Sequence, residues 1–268
     1  MRIVRYLGHD GHVRHAAEQT DGRCLDIEGD LFGKFTVTAT ESHMVSLLAP
    51  VEPRVLLCIG LNYGEHIEEQ TGKLPEWPVL FMKSPNTLQH PGGPIVLPTH
   101  LASSQVDYEG ELAVVIGKTC KNVSREQALN YVFGYTIAND VSARDWQRQF
   151  GGGQFCRGKS FDTFAPLGPA ILTADEIQNP NQLQLQTRVN GEVRQDSNTS
   201  KMIFDVPRLI EFLSGSTTLL AGTVILTGTP SGVGMARKPP VFLKAGDQVE
   251  VEIERIGVLS NPVISELA

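Results

Sequence analysis

Three acidic residues alternate along one short segment of the chain: Asp107, Glu109 and Glu111. If this segment is a strand, side chains two residues apart point to one face, so the three carboxylates project together. The apolar run that follows, residues 112–116, indicates that the strand enters the protein interior. Buried carboxylates repel one another, and a hard cation such as magnesium, manganese or calcium would relieve that repulsion. An edge strand whose acidic face meets water explains the local pattern equally well.

A further carboxylate, Asp140, ends the strand-like segment GYTIAND, residues 134–140. Chain reversals at strand ends commonly present functional side chains, which favours Asp140 as another oxygen ligand. The alternative interpretation is that Asp140 or Ser142 caps a helix that begins at Ala143, and taken alone this is the commoner arrangement. From these residues alone both alternatives stay open.

The sequence predicts that the elements around these carboxylates are mostly strands. Two prolines within residues 49–53 predict an extended linker. We therefore expect a small N-terminal β-rich domain at residues 1–50, followed by a main domain at residues 51–268. These patterns predict a β-rich α+β fold with few helices.

Turn and periodicity signals mark several elements of the main domain. Asn190-Gly191 predicts the turn of a hairpin, because both residues tolerate positive φ angles. The apolar residues at 249, 251 and 253 alternate with glutamates, which is typical of a strand with one buried face. A capping box predicts a helix that begins after Ser124, and Asp205 is predicted to cap another helix.

The composition limits the class of function. A net charge of −7 and a pI near 5.5 argue against a nucleic-acid partner, because phosphates require a basic surface. The four cysteines have no CxxC spacing, which predicts reduced thiols inside the cell. We find no run of about 20 apolar residues, so no membrane association is expected. The expected compartment is the cytoplasm, or the mitochondrion if a presequence was removed.

Several longer segments of the chain resemble the fumarylacetoacetate hydrolase family. The matching segments, in family order, are CIGLNYGEH, VLFMKSP, DYEGELAVVIG, ANDVSARDWQ, GKSFDTFAPLGP, VNGEVRQDSNTSKMIF and ILTGTPSGVG. They cover roughly residues 55 to 260. One short motif would be a weak signal, but the ordered set is specific. Asp145-Trp146 and the tail at 237–254 are most similar to the "domain-containing protein 2" branch of the family.

The resemblance implies a fold, a cofactor and a partner. The fold is a β-roll or mixed β-sandwich, usually paired into a homodimer. The cofactor is Mg²⁺, with Mn²⁺ or Ca²⁺ as substitutes, held by Glu109, Glu111 and Asp140. By this correspondence Asp107 has no ligand role. The substrate is a small 2-oxo acid.

The resemblance also implies roles for other side chains. His66 and Glu69 correspond to a lid pair, in which the carboxylate would support the imidazole as a base. Lys159 corresponds to a catalytic lysine that faces the substrate. The residues that correspond to substrate contacts are Arg144, Gln147, Thr229 and, with a weaker match, Lys83. Without the family, each of these residues reads as a surface or turn position.

One such site supports several reactions. Our first expectation is hydrolysis of a C–C bond in an acylpyruvate, through an enolate that the metal stabilises. Oxaloacetate tautomerase or oxaloacetate decarboxylase is the close alternative, followed by another isomerase. A metal-binding protein without turnover is the alternative from a different class.

Overall fold

The structure is a computed structural model that describes residues 1–65 and 74–267. Its strands are, in chain order, β1 (Arg2–Gly8), β2 (Val13–Glu18), β3 (Cys24–Gly29), β4 (Phe35–Glu41), β5 (Met44–Leu48), β6 (Leu56–Gly60), β7 (Val79–Lys83), β8 (Leu88–Gln89), β9 (Ile95–Leu97), β10 (Val106–Asp107), β11 (Gly110–Ile116), β12 (Val132–Asn139), β13 (Ser142–Ala143), β14 (Ala165–Thr173), β15 (Gln184–Val189), β16 (Glu192–Asn198), β17 (Val224–Leu226), β18 (Gln248–Ile253) and β19 (Gly257–Ser265).

The helices with described bounds are short. They are α1 (Phe155–Lys159), α2 (Val206–Ser214), a π-helix (Trp146–Phe150) and 3-10 helices at Pro85–Thr87, Arg125–Tyr131, Thr199–Lys201 and Gly234–Ala236. Within the described residues, no helix is both long enough and apolar enough to cross a membrane. The predicted β-rich α+β class with few helices is confirmed.

The strands of the described chain form a large mixed sheet, a five-stranded sheet and the small pair β10–β13. The large sheet runs in the order β4-β3-β2-β1-β14-β12-β11-β17-β6-β7, and β5 and β8 pair with β1 and β14. The five-stranded sheet runs β16-β15-β18-β19-β9. The N-terminal strands continue into the large sheet, because β1 pairs with β14. The division into residues 1–50 and 51–268 stays a prediction.

Strand β11 lies at the centre of the large sheet, between β12 and β17. Both of its faces are buried. Leu112, Val114 and Ile116 pack into one hydrophobic cluster, while Ala113 and Val115 pack into another. This explains the continuous apolar run, because a strand buried on both faces needs no polar alternation. Glu109 and Glu111, at the beginning of β11, are therefore buried in the protein interior.

Local signals in the sequence gave mixed results. Asn190 and Gly191 have positive φ angles in the β15–β16 hairpin, as predicted. Asp205 accepts a hydrogen bond from the N–H of Arg208 and caps α2, also as predicted. The predicted capping box at Ser124 is wrong: its side chain makes no capping hydrogen bond, and the segment that follows is a 3-10 helix.

Candidate active site

A buried group of carboxylates lies where β11 begins and β12 ends. Glu109 directly precedes β11, Glu111 lies within it, and Asp140 directly follows β12. One oxygen from each residue lies within 4.8 Å of the others. The antiparallel pairing explains the meeting, because Gly110 lies opposite Asn139 and so brings the two strand ends together. The three residues that the family resemblance pointed to are thus neighbours in the fold.

Asp107 is not part of this group of carboxylate oxygens, although simple strand alternation would place it with Glu109 and Glu111. Strand β10 ends at Asp107 and pairs with β13, whereas β11 begins only at Gly110, so the chain changes sheet between them. Asp107 is buried and accepts hydrogen bonds from the backbone N–H groups of Gly234 and Met235. Its Oδ2 also lies 2.9 Å from Nε of Arg144.

Two buried lysines contact the carboxylate of Asp140. Lys159 Nζ lies 2.7 Å from Asp140 Oδ2 and 2.7 Å from Glu109 Oε2. Lys83 Nζ lies 2.5 Å from Asp140 Oδ1 and donates to the carbonyl of Val141. Burial lowers the pKa of Lys83 and outweighs the attraction of Asp140. Burial also opposes the charge on Lys159, but Asp140 and Glu109 together raise its pKa. The Lys159 ammonium therefore stays protonated.

Glu111 differs from its two neighbours because no lysine or arginine of the described chain forms an ion pair with it. It accepts a hydrogen bond from the N–H of Gly228 at 2.7 Å. Burial raises its pKa well above the usual value, and the charges of Asp140 and Glu109 raise it further. A divalent cation beside these oxygens would supply the missing positive charge. The all-oxygen donor set fits magnesium, manganese or calcium.

Arg144 is held by three side chains and keeps one donor open. Its Nε donates to Asp107, and its Nη1 lies 2.6 Å from Glu109 Oε1 and 3.0 Å from Gln147 Oε1. Its Nη2 is buried and has no hydrogen-bond partner within the described residues. A buried N–H group without an acceptor is unfavourable, so this atom is suited to an anionic ligand.

Two carboxylates of the triad Glu109, Glu111 and Asp140 border one cavity of about 250 Å³ together with Arg144 and Lys159. These two are Glu109 and Glu111; Asp140 is not part of the cavity wall. Its wall is formed by Ile59, Gly60, Leu61, Phe81, Glu109, Glu111, Arg144, Gln147, Arg148, Phe155, Lys159 and Thr229. Gly158 allows α1 to approach the π-helix closely: a Cβ at Gly158 would lie 2.5 Å from the backbone N of Gln147. That close approach brings Lys159 onto the same wall as Arg144 and Gln147.

Two further residues that the family resemblance singled out have defined positions. The hydroxyl of Thr229 donates to the carbonyl of Gly110 at 2.9 Å and accepts from Gln195 Nε2 at 2.7 Å. Lys83 lies outside the wall of the 250 Å³ cavity and instead borders a second cavity of about 800 Å³. We therefore interpret Lys83 as a residue that holds Asp140, and its contact with substrate stays a prediction.

The remaining predicted catalytic residues, His66 and Glu69, lie outside the described residues. Sequence reasoning also missed three residues of the site: Asp107 as the partner of Arg144, Gln195 as the partner of Thr229, and Arg148 on the cavity wall. The sequence singled out Asp107 only because it alternates with Glu109 and Glu111, which did not indicate an arginine partner. Gln195 lies within a family-like segment but carries no chemical signal of its own, and Arg148 follows Gln147 without any pattern.

Comparison with known proteins gives consistent matches. The family model described as Fumarylacetoacetate (FAA) hydrolase C-terminal matches residues 55–264. The curated protein "Oxaloacetate tautomerase fahd2, mitochondrial" of Xenopus laevis is 51% identical over 221 residues, which are 82% of this chain and 69% of that protein. A 5-carboxymethyl-2-hydroxymuconate delta-isomerase from Mycobacterium smegmatis has a TM-score of 0.86 at 42% identity, covering 99% of this chain and 100% of that one. A fumarylacetoacetate hydrolase from Exiguobacterium antarcticum has a TM-score of 0.88 at 40% identity, with the same coverage.

Proposed function

The chain belongs to the fumarylacetoacetate hydrolase family, and we propose that it is an oxaloacetate tautomerase that depends on a divalent cation. The observation that carries this proposal is the cavity whose wall combines Glu109 and Glu111 with Lys159 and Arg144. The buried Nη2 of Arg144 has no hydrogen-bond partner within the described residues. A cavity of about 250 Å³ suits a small acid. The relative from Xenopus laevis, half identical in sequence, is named for this reaction.

We propose Mg²⁺ as the cation and Glu109, Glu111 and Asp140 as its ligands, with Mn²⁺ or Ca²⁺ as substitutes. The support is the donor set: three buried carboxylates, of which Glu111 has no cationic partner in the described chain. When bound, such an ion stabilises negative charge on the oxygen of the 2-oxo group as a Lewis acid. Lys83 and Lys159 hold the carboxylate of Asp140 from both sides and so orient it.

Arg144 binds and orients the carboxylate beside the 2-oxo group in this proposal. Its guanidinium is already fixed by Asp107, Glu109 and Gln147, so little side-chain entropy is lost when the open Nη2 donates to a ligand. Gln195 and the carbonyl of Gly110 fix the hydroxyl of Thr229, a residue of the cavity wall. We propose that this hydroxyl turns its proton from Gly110 to the substrate when the substrate binds. These contacts hold the substrate in one orientation relative to the triad.

Lys159 stabilises developing negative charge and does not act as a base. Its ammonium is buried between two carboxylates that keep it protonated. Tautomerisation moves one proton between the enol oxygen and C3, so it consumes no water and no second substrate. The proton-transfer group we propose is His66, supported by Glu69, both of which lie outside the described residues.

Hydrolysis of an acylpyruvate, our first expectation from the sequence, needs a positioned water in addition to this machinery. That water would be activated by His66. We rank oxaloacetate tautomerisation above C–C hydrolysis because the Xenopus laevis relative, 51% identical to this chain, is named for that reaction. Decarboxylation of oxaloacetate would be assisted by the same positive charges, because it also forms an enolate. It differs from tautomerisation in that it releases pyruvate and carbon dioxide.

We also propose a homodimer, on the basis of the family resemblance. One supporting feature is the edge strand β7, which exposes Leu80 and Met82. Light scattering coupled to gel filtration tests this directly: a mass of one chain would reject it. The name of the Xenopus laevis relative includes "mitochondrial", so we propose the mitochondrion as the compartment.

Enol consumption with and without metal tests the proposed function. Freshly dissolved enol-oxaloacetate is followed by its ultraviolet absorbance with enzyme in EDTA and after Mg²⁺ is added back. We expect catalysed loss of the enol only with the metal, and Glu109→Gln to abolish it. The matched control is Glu28→Gln, which removes an exposed carboxylate from β3 and leaves the rate unchanged. A wild-type rate equal to the uncatalysed rate in Mg²⁺ would reject the proposal.

A further inference from the structure

Gly110 is the residue between Glu109 and Glu111, two of the proposed metal ligands. The ladder between β11 and β17 begins three residues beyond Gly110, so side chains supply hydrogen bonds there that a strand supplies further along. The N–H of Gly110 donates to Oε1 of Gln195 at 3.0 Å, and its carbonyl accepts from the hydroxyl of Thr229 at 2.9 Å. Buried backbone groups need such partners, so the position of this peptide depends on two side chains.

Gln195 is buried on β16 and uses both ends of its amide. Besides accepting from the peptide between the two glutamates, it donates through Nε2 to the hydroxyl of Thr229 at 2.7 Å and to the carbonyl of Pro230 at 2.9 Å. The same loop donates the N–H of Gly228 to Oε2 of Glu111 at 2.7 Å. Gln195 therefore links that peptide to the loop that holds the carboxylate of Glu111.

The close approach of the five-stranded sheet to this peptide requires glycine at position 110. A Cβ on Gly110 would lie 2.2 Å from Oγ1 of Thr187 on β15 and 2.9 Å from Cγ1 of Val251 on β18, so neither neighbour leaves room for it. The peptide is thus held between the large sheet, to which β11 belongs, and the five-stranded sheet, from which Gln195 reaches it.

We propose that Gln195 is a positioning residue for the divalent cation, because it fixes the peptide that sets the orientation of Glu109 relative to Glu111. The inference rests on the ligand set of the proposed function. Gln195 is not part of the wall of the 250 Å³ cavity, so it acts through the two glutamates. In the metal-free protein these carboxylates repel each other, and the fixed peptide opposes their separation. The alternative is that Gln195 only satisfies buried backbone groups, which would affect stability but not the affinity for metal.

Mg²⁺ binding to the protein without substrate tests this inference apart from turnover. Gln195→Met removes the amide and keeps a side chain of similar size. Titration calorimetry should give a Kd for Mg²⁺ about 10- to 100-fold larger than that of the wild type, the usual effect of losing a residue that orients a metal ligand. Thr229→Val removes the second hydrogen bond to the same peptide and should also raise the Kd, whereas Thr229→Ser keeps the hydroxyl and should leave it near the wild-type value. The double variant Gln195→Met/Thr229→Val should raise the Kd by less than the product of the two single effects, because both act through one peptide.

The matched control is Asn261→Leu, which removes a buried amide on β19 that donates to the carbonyls of His90 and Gly93. It should lower the Tm as Gln195→Met does and leave the Kd of Mg²⁺ unchanged. If Gln195→Met does not fold, Thr229→Val and Thr229→Ser decide the same question. An unchanged Kd in the folded variants that lose a hydrogen bond to the peptide, or an equal rise in Asn261→Leu, would overturn the inference.

The outcome for the proposed function is separate. A Kd that rises in Gln195→Met and not in Asn261→Leu supports the inference even if the wild type fails to consume enol-oxaloacetate, a result that rejects the proposed function alone. A wild type that binds no divalent cation would overturn the ligand set and, with it, this inference.

Discussion

Arg144 and Asp107 form an ion pair in the protein interior, with Nε of the guanidinium 2.9 Å from Oδ2 of the carboxylate. Asp107 also accepts hydrogen bonds from the N–H groups of Gly234 and Met235, so it joins Arg144 to the 3-10 helix Gly234–Ala236. Within the described residues, Nη2 of Arg144 is left without a hydrogen-bond partner, and the Arg144 side chain borders the cavity. Asp107 thus fixes the guanidinium that we propose binds the substrate, which makes it a positioning residue in that proposal.

Replacing Asp107 with asparagine should destabilise the fold strongly. The change leaves the buried guanidinium of Arg144 with less compensating charge, and removal of one partner from a buried pair typically costs about 3–5 kcal/mol. Urea unfolding measures the loss. The control is Asp21→Asn at the exposed pair with Arg23, where a loss of at most about 1 kcal/mol is expected. Equal losses at the two positions would contradict the assignment of Asp107.

Lys83 and Lys159 bind opposite oxygens of Asp140, but only Lys159 of the two borders the 250 Å³ cavity. Lys159→Met should lower kcat by about 10²- to 10³-fold, because it removes a positive group from the reacting centre. Lys83→Met should weaken activity through the orientation of Asp140, by about 10- to 100-fold. Kinetics across a Mg²⁺ titration separate them: added metal should restore Lys83→Met and not Lys159→Met. An identical response of the two variants would refute the division of roles.

The metal-free protein should lose stability as pH rises. Burial and the charges of Asp140 and Glu109 raise the pKa of Glu111, so the folded chain holds that proton more tightly than the unfolded chain. The stability this provides is fully present below the ordinary glutamate pKa and is lost as pH rises through the raised pKa. In EDTA, the Tm of the wild type should therefore fall more than that of Glu111→Gln between about pH 5 and pH 8. Parallel Tm curves would show that Glu111 is not the group responsible.

The parts of the fold that the sequence predicts well depend on local chemistry. The Asn190-Gly191 turn and the Asp205 cap need only the conformational preferences of a few neighbouring residues. The family resemblance, carried by ordered motifs, is confirmed by the match over residues 55–264. The resemblance predicted that Glu109, Glu111 and Asp140 form one group. The alternation of the acidic residues alone left open the alternative of a solvent-exposed edge strand.

The relationships that the sequence could not predict are contacts between distant segments. Asp107 seemed equivalent to Glu109 and Glu111 by alternation, but the chain changes sheet after β10, and Asp107 lies outside the group of carboxylate oxygens to which they belong. Gln195 reaches Thr229 only because β16 packs near the start of β11. Such partners depend on tertiary packing, and no local pattern records them.

The fate of the substrate carbon skeleton tests the central claim most directly. Wild-type enzyme with Mg²⁺ is given enol-oxaloacetate and, in a parallel sample, acetylpyruvate, and both enol absorbance and pyruvate are measured over time. We predict rapid loss of the oxaloacetate enol with no pyruvate above the uncatalysed level in either sample. Catalysed release of pyruvate from acetylpyruvate without catalysed loss of the oxaloacetate enol would contradict the account and assign the site to C–C hydrolysis.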